Sequence, residues 1–386
     1  MDRLGESVHI KNIEKIRKRI LQVNIDNNGG NGAFSLVRYL YQYLSDEFLF
    51  DYYTMDQFVK DSVYEDIRAD GGVCYSANLR KNKFIGHILL PFDFYRILKK
   101  NRYDTIHIHS EVAYKHFLYS VAAKAAKINN IIIHSHSNDI DGDHKGIKYL
   151  FHILMRSKVN KYGTYFLACS LPAAEWMFRR KTTKSSHFSI LQNGIDVEKY
   201  IYSDVMRREV RNELGLNDEK VLGHVGALKK VKNQEFLIEL ISCLRDKGYK
   251  LVLVGDGDDK EKLIIKAKEL KCYDSIIFTG SRTDVNRILQ AMDVFVMPSF
   301  FEGIPMALIE AQSIGLPIIA SDTINGNVKI NENVEFVSLD KNKESWIDII
   351  EKNIENHIKE KGYKNVSHSP FNIKRSVNQL IEVYNH

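Results

Sequence analysis

Cysteine, proline and long apolar runs are scarce in this sequence, and each scarcity removes a class of protein. The four cysteines, Cys74, Cys169, Cys243 and Cys272, are scattered without a CxxC pair. That pattern argues against a disulfide scaffold or a cysteine-rich zinc site and for structural thiols in a reducing compartment. Six prolines and no Ser/Gly-rich tract leave no long flexible linker to expect. No run of about 18 uncharged apolar residues occurs, which argues against a spanning helix. The N-terminus has no apolar signal core, since VHIKNIEKIRKRI is basic and at most amphipathic. Internal repeats at solenoid periods are also missing.

What remains is the composition of a globular protein, 44% hydrophobic and 27% charged, in 386 residues, enough for two ordinary domains. The net charge of +6 is unevenly placed. Residues 1–197 hold 28 lysines and arginines against 20 acids, whereas residues 198–386 hold 27 against 29. A basic first half points to an anionic partner or surface, with nucleic acid, acidic lipid and phosphate all compatible, or to an ordinary solvated surface with a mild lysine excess.

Short β-branched runs alternate with amphipathic helical stretches, the signature of parallel βαβ units. In the first half, RILQVNID (19–26) reads as a strand ending in NNGGNGAF, followed by helical SLVRYLYQYLSDE. YDTIHIHS (103–110), NIIIHSHS (130–137) and YFLACS (165–170) are further strands, and SILQNGID (189–196) is a short strand and turn. A second alternation runs through VLGHVGALKKVKN, YKLVLVGDGDD, SIIFTGSRTD, DVFVMPS and LPIIASD, and the last clear element is a helix, IKRSVNQLIEVY (373–384). The fold expected is α/β: two doubly wound domains in tandem, joined near residue 197. Ligands of such sheets bind outside the carboxyl ends of the strands, which places the site in the cleft between the domains.

The densest chemistry lies in PSFFEGIPMALIEAQSIGLPIIASD. Gly303 lets backbone approach a ligand closely, and Pro305 suits the first turn of the helix that follows. FEGIP therefore turns backbone amides and a positive helix end toward the strand ends, a ready anion site. Glu302 precedes that helix and can accept hydrogen bonds from ligand hydroxyls. Glu310 lies inside it, where a carboxylate suits the vicinal diol of a ribose. The plainer reading is a helix-end acid at Glu302 and a solvated residue at Glu310.

This segment resembles the E-x7-E signature of family 4 glycosyltransferases of the GT-B fold, with its Gly-Pro frame and EAQ-x-x-G-x-P continuation. LQNGID, LVGDG, FTGSRTDV with AMDVFVMPS, and the N-terminal Gly-Gly loop match the family in its order, so the resemblance covers nearly the whole chain. It implies two Rossmann-like domains, an acceptor-side domain over 18–197 and a nucleotide-sugar domain over 198–370. A C-terminal helix within 371–386 is expected to pack back on the first. Transfer with retention of anomeric configuration and no bound metal or other cofactor is implied. The variant of the motif resembles bacterial enzymes of capsule and exopolysaccharide assembly.

On this resemblance Glu310 binds the donor ribose, while Glu302 and the amides of Gly303, Ile304, Pro305 and Met306 hold the sugar and phosphate end (proline contributing only position). The family grips the diphosphate with a Gly-Arg pair and a later lysine. GALKKVKN supplies Gly226 and Lys232, but Ala227 stands at the arginine position. Lys229 and Lys230 are possible substitutes without the bidentate fork, and the expectation is activity carried by Lys232 and the helix end. His136 is implied to reach the donor sugar, with His134 in reserve. Gly29 and Gly30 would approach the donor phosphate, Asn193 would line the site at the domain junction, and Arg282 would lie near the base. Each has a plain alternative: a simple turn, a hinge, an exposed arginine.

His107 with His109, and His134 with His136, stand at i,i+2, so each pair faces one side of its strand. Two adjacent HxH strands are compatible with a zinc or di-metal site and would then indicate a hydrolase. No acidic ligand motif accompanies them, and histidines satisfied within the sheet are expected instead. The function expected is a metal-independent hexosyltransferase using a UDP-linked sugar and a glycan or lipid-diphosphate-linked acceptor. A cytoplasmic location follows, with contact to an anionic membrane and none to nucleic acid. A nucleotide-sugar epimerase of the same fold and a non-catalytic glycosyltransferase-like subunit are the competing readings.

Overall fold

A computed structural model describes residues 17–25, 32–55, 61–77, 83–137 and 145–386. It divides into two compact units, one of residues 1–192 with 376–386 and one of residues 193–375. Gly29 and Gly30 lie outside the described residues.

The first unit is built on seven strands: β1 (Lys18–Val23), β2 (Phe48–Thr54), β3 (Cys74–Ser76), β4 (Thr105–Ser110), β5 (Asn130–Ser135), β6 (Tyr165–Ala168) and β7 (Phe188–Ile190). Their order is β3-β2-β1-β4-β5-β6-β7, with every pairing parallel. Central strands of such a sheet are covered on both faces, and every residue of β2, β4 and β5 is buried. β2 and β3 have no counterpart in the sequence reading. Asp51 interrupts the apolar run of β2, and only tertiary partners make its burial tolerable. Arg19 meets it at 2.6 and 2.8 Å, the Tyr103 hydroxyl donates to it at 2.6 Å, and the Val73 amide at 2.7 Å.

The second unit has six parallel strands: β8 (Lys220–Val225), β9 (Tyr249–Val254), β10 (Ile276–Gly280), β11 (Val294–Met297), β12 (Ile318–Ser321) and β13 (Val334–Val337). They are ordered β10-β9-β8-β11-β12-β13. Alternation along each strand sorts the core. Leu251, Leu253, Val294 and Val296 join Leu237, Ile238 and Ile241 of helix Gln234–Leu244 on one face. Val252, Val254, Phe295 and Met297 join Leu308 and Ile309 of helix Met306–Ile314 on the other. In both sheets the order reverses beside the first strand, and the crevice at that switch point is where doubly wound sheets hold ligands.

The last helix, Ile373–Asn385, returns the chain to the first unit. Tyr384 is fully buried there, its ring against Phe48 and Phe50 and its hydroxyl on His107 and Gln22. Where the chain enters and leaves the second unit, Ile195 and the 371–373 stretch exchange backbone hydrogen bonds of 2.8 and 2.9 Å. A Cβ on Gly194 would lie 2.8 Å from Ile373, so that close pairing requires glycine.

Candidate functional site

At the switch point of the second unit the loops after β8 and β11 meet. After β8 the chain forms a short 3-10 turn, Lys230–Lys232, stopped by Asn233 in the left-handed region at φ 56°. The Asn233 side chain donates to the Pro298 carbonyl at 3.1 Å, and the Phe300 amide donates to Val231 at 2.9 Å. These bonds bring the Lys232 ammonium to both oxygens of Glu302, at 2.7 and 2.8 Å. Ser299, fully buried, donates its hydroxyl to the same carboxylate at 2.7 Å, and Thr323 fixes the Ser299 carbonyl at 2.8 Å. The Glu302 side chain is only 9% exposed and that of Lys232 21%. A carboxylate so desolvated is held by charge-assisted bonds on both sides.

Glycines make the fit possible. A Cβ on Gly226 would lie 3.5 Å from Lys232 Cε and 3.3 Å from His224 Nε2. Gly255, at φ +138°, passes so close to Gly226 that a Cβ would stand 2.1 Å from its carbonyl oxygen. Ala227, at the position of the expected arginine, is exposed, and its carbonyl accepts from Gln234 at 2.9 Å. The lysines beside it, Lys229 and Lys230, are exposed as well.

Helix Met306–Ile314 begins one residue later than a proline in its first turn would imply. Pro305 is its N-cap, and no side chain caps the end. The first-turn amides of Met306 and Ala307 therefore have no helical carbonyl to bond. Gly303 is exposed with nothing within 4 Å of a Cβ built on it, while Ile304 and Met306 are half-buried. Glu310, half-buried on the same helix, has its carboxyl pushed up by burial, an effect opposed by a hydrogen bond from Tyr200. Arg282 follows β10 and is held by Asp284 at 2.8 Å and Glu213 at 2.9 Å, both of which hold its guanidinium in the charged form. Asn193 keeps a buried side-chain oxygen, Oδ1, with no hydrogen-bond partner.

Sequence reasoning missed three residues here: His224, Ser299 and Tyr200. His224 is buried in β8, bonded through Nδ1 to the Val296 carbonyl at 2.9 Å. Burial lowers its pKa to about 4, so it is neutral next to Lys232. The only sequence signal was its place two residues before Gly226; Ser299 and Tyr200 had none.

The first unit gathers its histidines at its own switch point. Gln22 of β1 accepts from His109 Nε2 at 2.8 Å, which makes His109 Nδ1 the acceptor for His136 Nε2, also at 2.8 Å. Gln22 also donates to the Tyr384 hydroxyl at 3.1 Å, that hydroxyl meets His107 Nδ1 at 2.8 Å, and His107 Nε2 meets His134 Nδ1 at 3.2 Å. His134 Nε2 ends the relay without a partner, although it is buried. Burial holds His107, His109 and His134 well below the ordinary histidine value, and it lowers His136 to about 4. Nitrogens of His107, His109 and His134 lie within 4.8 Å of one another, close enough for three metal ligands. His107 and His134 are hydrogen-bonded to each other, and His109 to Gln22 and His136. The expected histidine pairs are thus one network, with His136, half-buried, at its outer end.

Two family models divide the chain. Glycosyltransferase Family 4 matches residues 31–199, and Glycosyl transferases group 1 matches residues 206–367. The chain belongs to the GT-B glycosyltransferases that combine these two domains. EpsF of Bacillus subtilis (strain 168), named as a glycosyltransferase, is 28% identical over 81% of this chain and 81% of its own. An Escherichia coli enzyme named UDP-Gal:alpha-D-GlcNAc-diphosphoundecaprenol alpha-1,3-galactosyltransferase is 27% identical over 75% of this chain and 77% of its own. Among solved structures, Anabaena Alr3699/HepE in complex with UDP has a TM-score of 0.74 at 17% identity, covering 95% of this chain and 99% of that one, and was also solved with UDP-glucose.

Proposed function

We propose that the protein is a retaining, metal-independent hexosyltransferase. In this reading it moves a sugar from a UDP-linked donor to a glycan or lipid-diphosphate-linked acceptor in capsule or exopolysaccharide biosynthesis. The observation that carries the reading is the Lys232–Glu302 pair, at the switch-point end of β8 and β11 and beside the uncapped start of helix Met306–Ile314. A diphosphate needs a cation and amide donors, and the reacting sugar needs hydroxyl acceptors. Lys232 with the amides of Gly303, Ile304 and Met306 supplies the first, and Glu302 the second. Glu310, with Tyr200 beside it, is assigned to the ribose. His136 enters as a neutral hydrogen-bonding group to the sugar. Gly29, Gly30, Gly226, Asn193 and Arg282 are assigned to the donor on the family pattern.

The acceptor oxygen bonds to the anomeric carbon as the bond to the diphosphate breaks. The departing diphosphate oxygen takes the acceptor proton on the same face, so configuration is retained. Catalysis is then positioning and charge stabilisation, without an enzymic nucleophile. The named substrates of the Escherichia coli relative and the UDP complexes of HepE support a UDP donor, and that relative supports a lipid-diphosphate acceptor. Such an acceptor would place the enzyme at the cytoplasmic face of an anionic membrane. No helix among the described residues is long and apolar enough to cross one.

A thermal-shift screen against nucleotide sugars tests the donor assignment, and stabilisation by UDP-sugars alone is the expected result. Incubation of the stabilising donor with lipid-diphosphate-linked sugars should then give an α-linked product from an α-linked donor. An isomeric sugar formed without acceptor would indicate an epimerase. Donor binding with neither transfer nor hydrolysis would indicate a non-catalytic subunit.

A further inference from the structure

Two helices of the first unit turn their apolar residues outward. In helix Lys145–Tyr162, Ile147, Leu150, Phe151 and Leu154 stand at i, i+3, i+4 and i+7 and are 45% to 61% exposed. The opposite face is buried through His152 and Val159, and His152 bonds the Ala113 amide at 3.1 Å and the Trp176 carbonyl at 3.1 Å. Helix Lys83–Asn101 repeats the pattern, exposing Ile88, Leu89 and Phe92 while burying Leu90, Phe94 and Leu98. An amphipathic helix in a globular domain normally does the reverse.

The two stripes adjoin. Each helix precedes a strand of an all-parallel sheet, β4 or β6, so both start at the carboxyl edge of that sheet. Tyr114, on helix Ala113–Ala125 between them, touches His87 of one at 5.9 Å and Phe151 of the other at 6.3 Å between ring centroids. Further along each helix the outward residues become basic: Arg96, Lys99 and Lys100 on one, Lys158 and Lys161 on the other, all exposed. Arg156, Arg179 and Arg180 line a shallow pocket of about 370 Å³ together with Ile153 and Ser157, with no acid among its walls. Helix Lys145–Tyr162 contains no acidic residue, and the single acid of Lys83–Asn101, Asp93, accepts from the Tyr53 hydroxyl at 3.1 Å. Tyr95 and Tyr149, both exposed, sit on the same two helices.

We propose that these outward stripes and their basic continuation are the surface by which the chain docks on an anionic phospholipid bilayer. Apolar side chains and tyrosines enter the headgroup boundary, and the lysines and arginines lie against the lipid phosphates. The charge pattern selects this occupant: an exposed apolar surface whose flanks are cationic, and whose lining pocket holds three arginines, complements a negative, amphipathic plane. The proposal rests on the reading of a membrane-side acceptor given above, and it names the surface that reading requires.

Flotation of the full chain with vesicles of phosphatidylglycerol and phosphatidylcholine, against phosphatidylcholine alone, tests it. Binding to the anionic vesicles only, weakened by salt, is expected. The double variant Leu150→Ser/Phe151→Ser should lose about tenfold or more in binding. Lys158→Glu/Lys161→Glu should lose about fivefold or more per residue. All of these positions are exposed, so both variants should keep the wild-type unfolding temperature and the wild-type response to nucleotide sugar. Phe151→Trp gives a second measure, a blue-shifted emission on adding anionic vesicles that brominated acyl chains quench. Three results would overturn the proposal: wild-type protein that stays off anionic vesicles, binding that survives both double variants, or Phe151→Trp emission that brominated chains leave unquenched. So would a dimer that Leu150→Ser/Phe151→Ser dissociates without any effect on vesicles. A chain that binds vesicles as expected but is not stabilised by any nucleotide sugar would refute the donor assignment alone.

Discussion

Replacing Lys232 with alanine removes the only cation that the structure shows bonded to Glu302 among the described residues. The ammonium makes two bonds of 2.7 and 2.8 Å to a carboxylate that is 9% exposed. After the substitution Glu302 keeps the Ser299 hydroxyl at 2.7 Å and loses its countercharge. Leaving a buried group partly unsatisfied costs about 1–3 kcal/mol, and partial exposure of the pair puts the expected loss at the low end. The effect on turnover should be larger than that. With Ala227 in place of an arginine, Lys232 is the principal side-chain cation assigned to the leaving diphosphate, and one such contact contributes roughly 10²–10³ in kcat. Lys232→Ala should therefore lose about 10²-fold or more in kcat at a modest cost in stability, whereas Ser299→Ala should cost stability with a much smaller effect on kcat. Urea denaturation and steady-state kinetics on the same preparations separate the two. A Lys232→Ala enzyme turning over at close to the wild-type rate would refute the assignment. Coupling near zero in a double-mutant cycle with Glu302→Gln would show that the observed pair carries no energy.

Three further outcomes follow from the geometry. Gly255→Ala must move backbone, since its Cβ would meet the Gly226 carbonyl at 2.1 Å and φ is +138°; a loss of donor binding together with stability is expected from thermal shift with and without nucleotide sugar. Ala227→Arg places a guanidinium on an exposed position beside Lys232 and should raise kcat/KM by about tenfold or more, and an unchanged value would remove the diphosphate from that corner. The buried histidines are neutral in the fold and take up protons on unfolding below their ordinary pKa near 6.5. Stability is thus full above about pH 7 and is lost as pH falls toward the folded values, about 4 for His224, with His107, His109 and His134 also held well below the ordinary histidine value by burial. At pH 5 the loss should be about 2 kcal/mol for His224 alone, read from urea midpoints at about pH 7 and 5, and a flat profile would contradict the neutral network.

Much of this protein is determined by short-range sequence. Alternating apolar strands and helices with Gly and Pro at their ends specify βαβ units, because period and turn chemistry are local properties. That suffices for two doubly wound sheets and for the position of Glu302 and Glu310 around a helix start. β2 was illegible, because Asp51 reads as a break until Arg19, Tyr103 and the Val73 amide arrive from distant segments. The same holds at the site. The sequence placed Lys232 and Glu302 in separate motifs 70 residues apart, and only the crossing of β8 beside β11 makes them one ion pair. Ser299 carries no signature, and His224 only its place two residues before Gly226; burial beside that pair is what gives them a part in it. Hydrogen bonding among the four histidines, and the outward turn of Phe151 and Phe92, likewise depend on which residues the sheet brings together. Propensity and pattern act along the chain, whereas desolvation, charge pairing and exposure exist only between segments that folding has brought into contact.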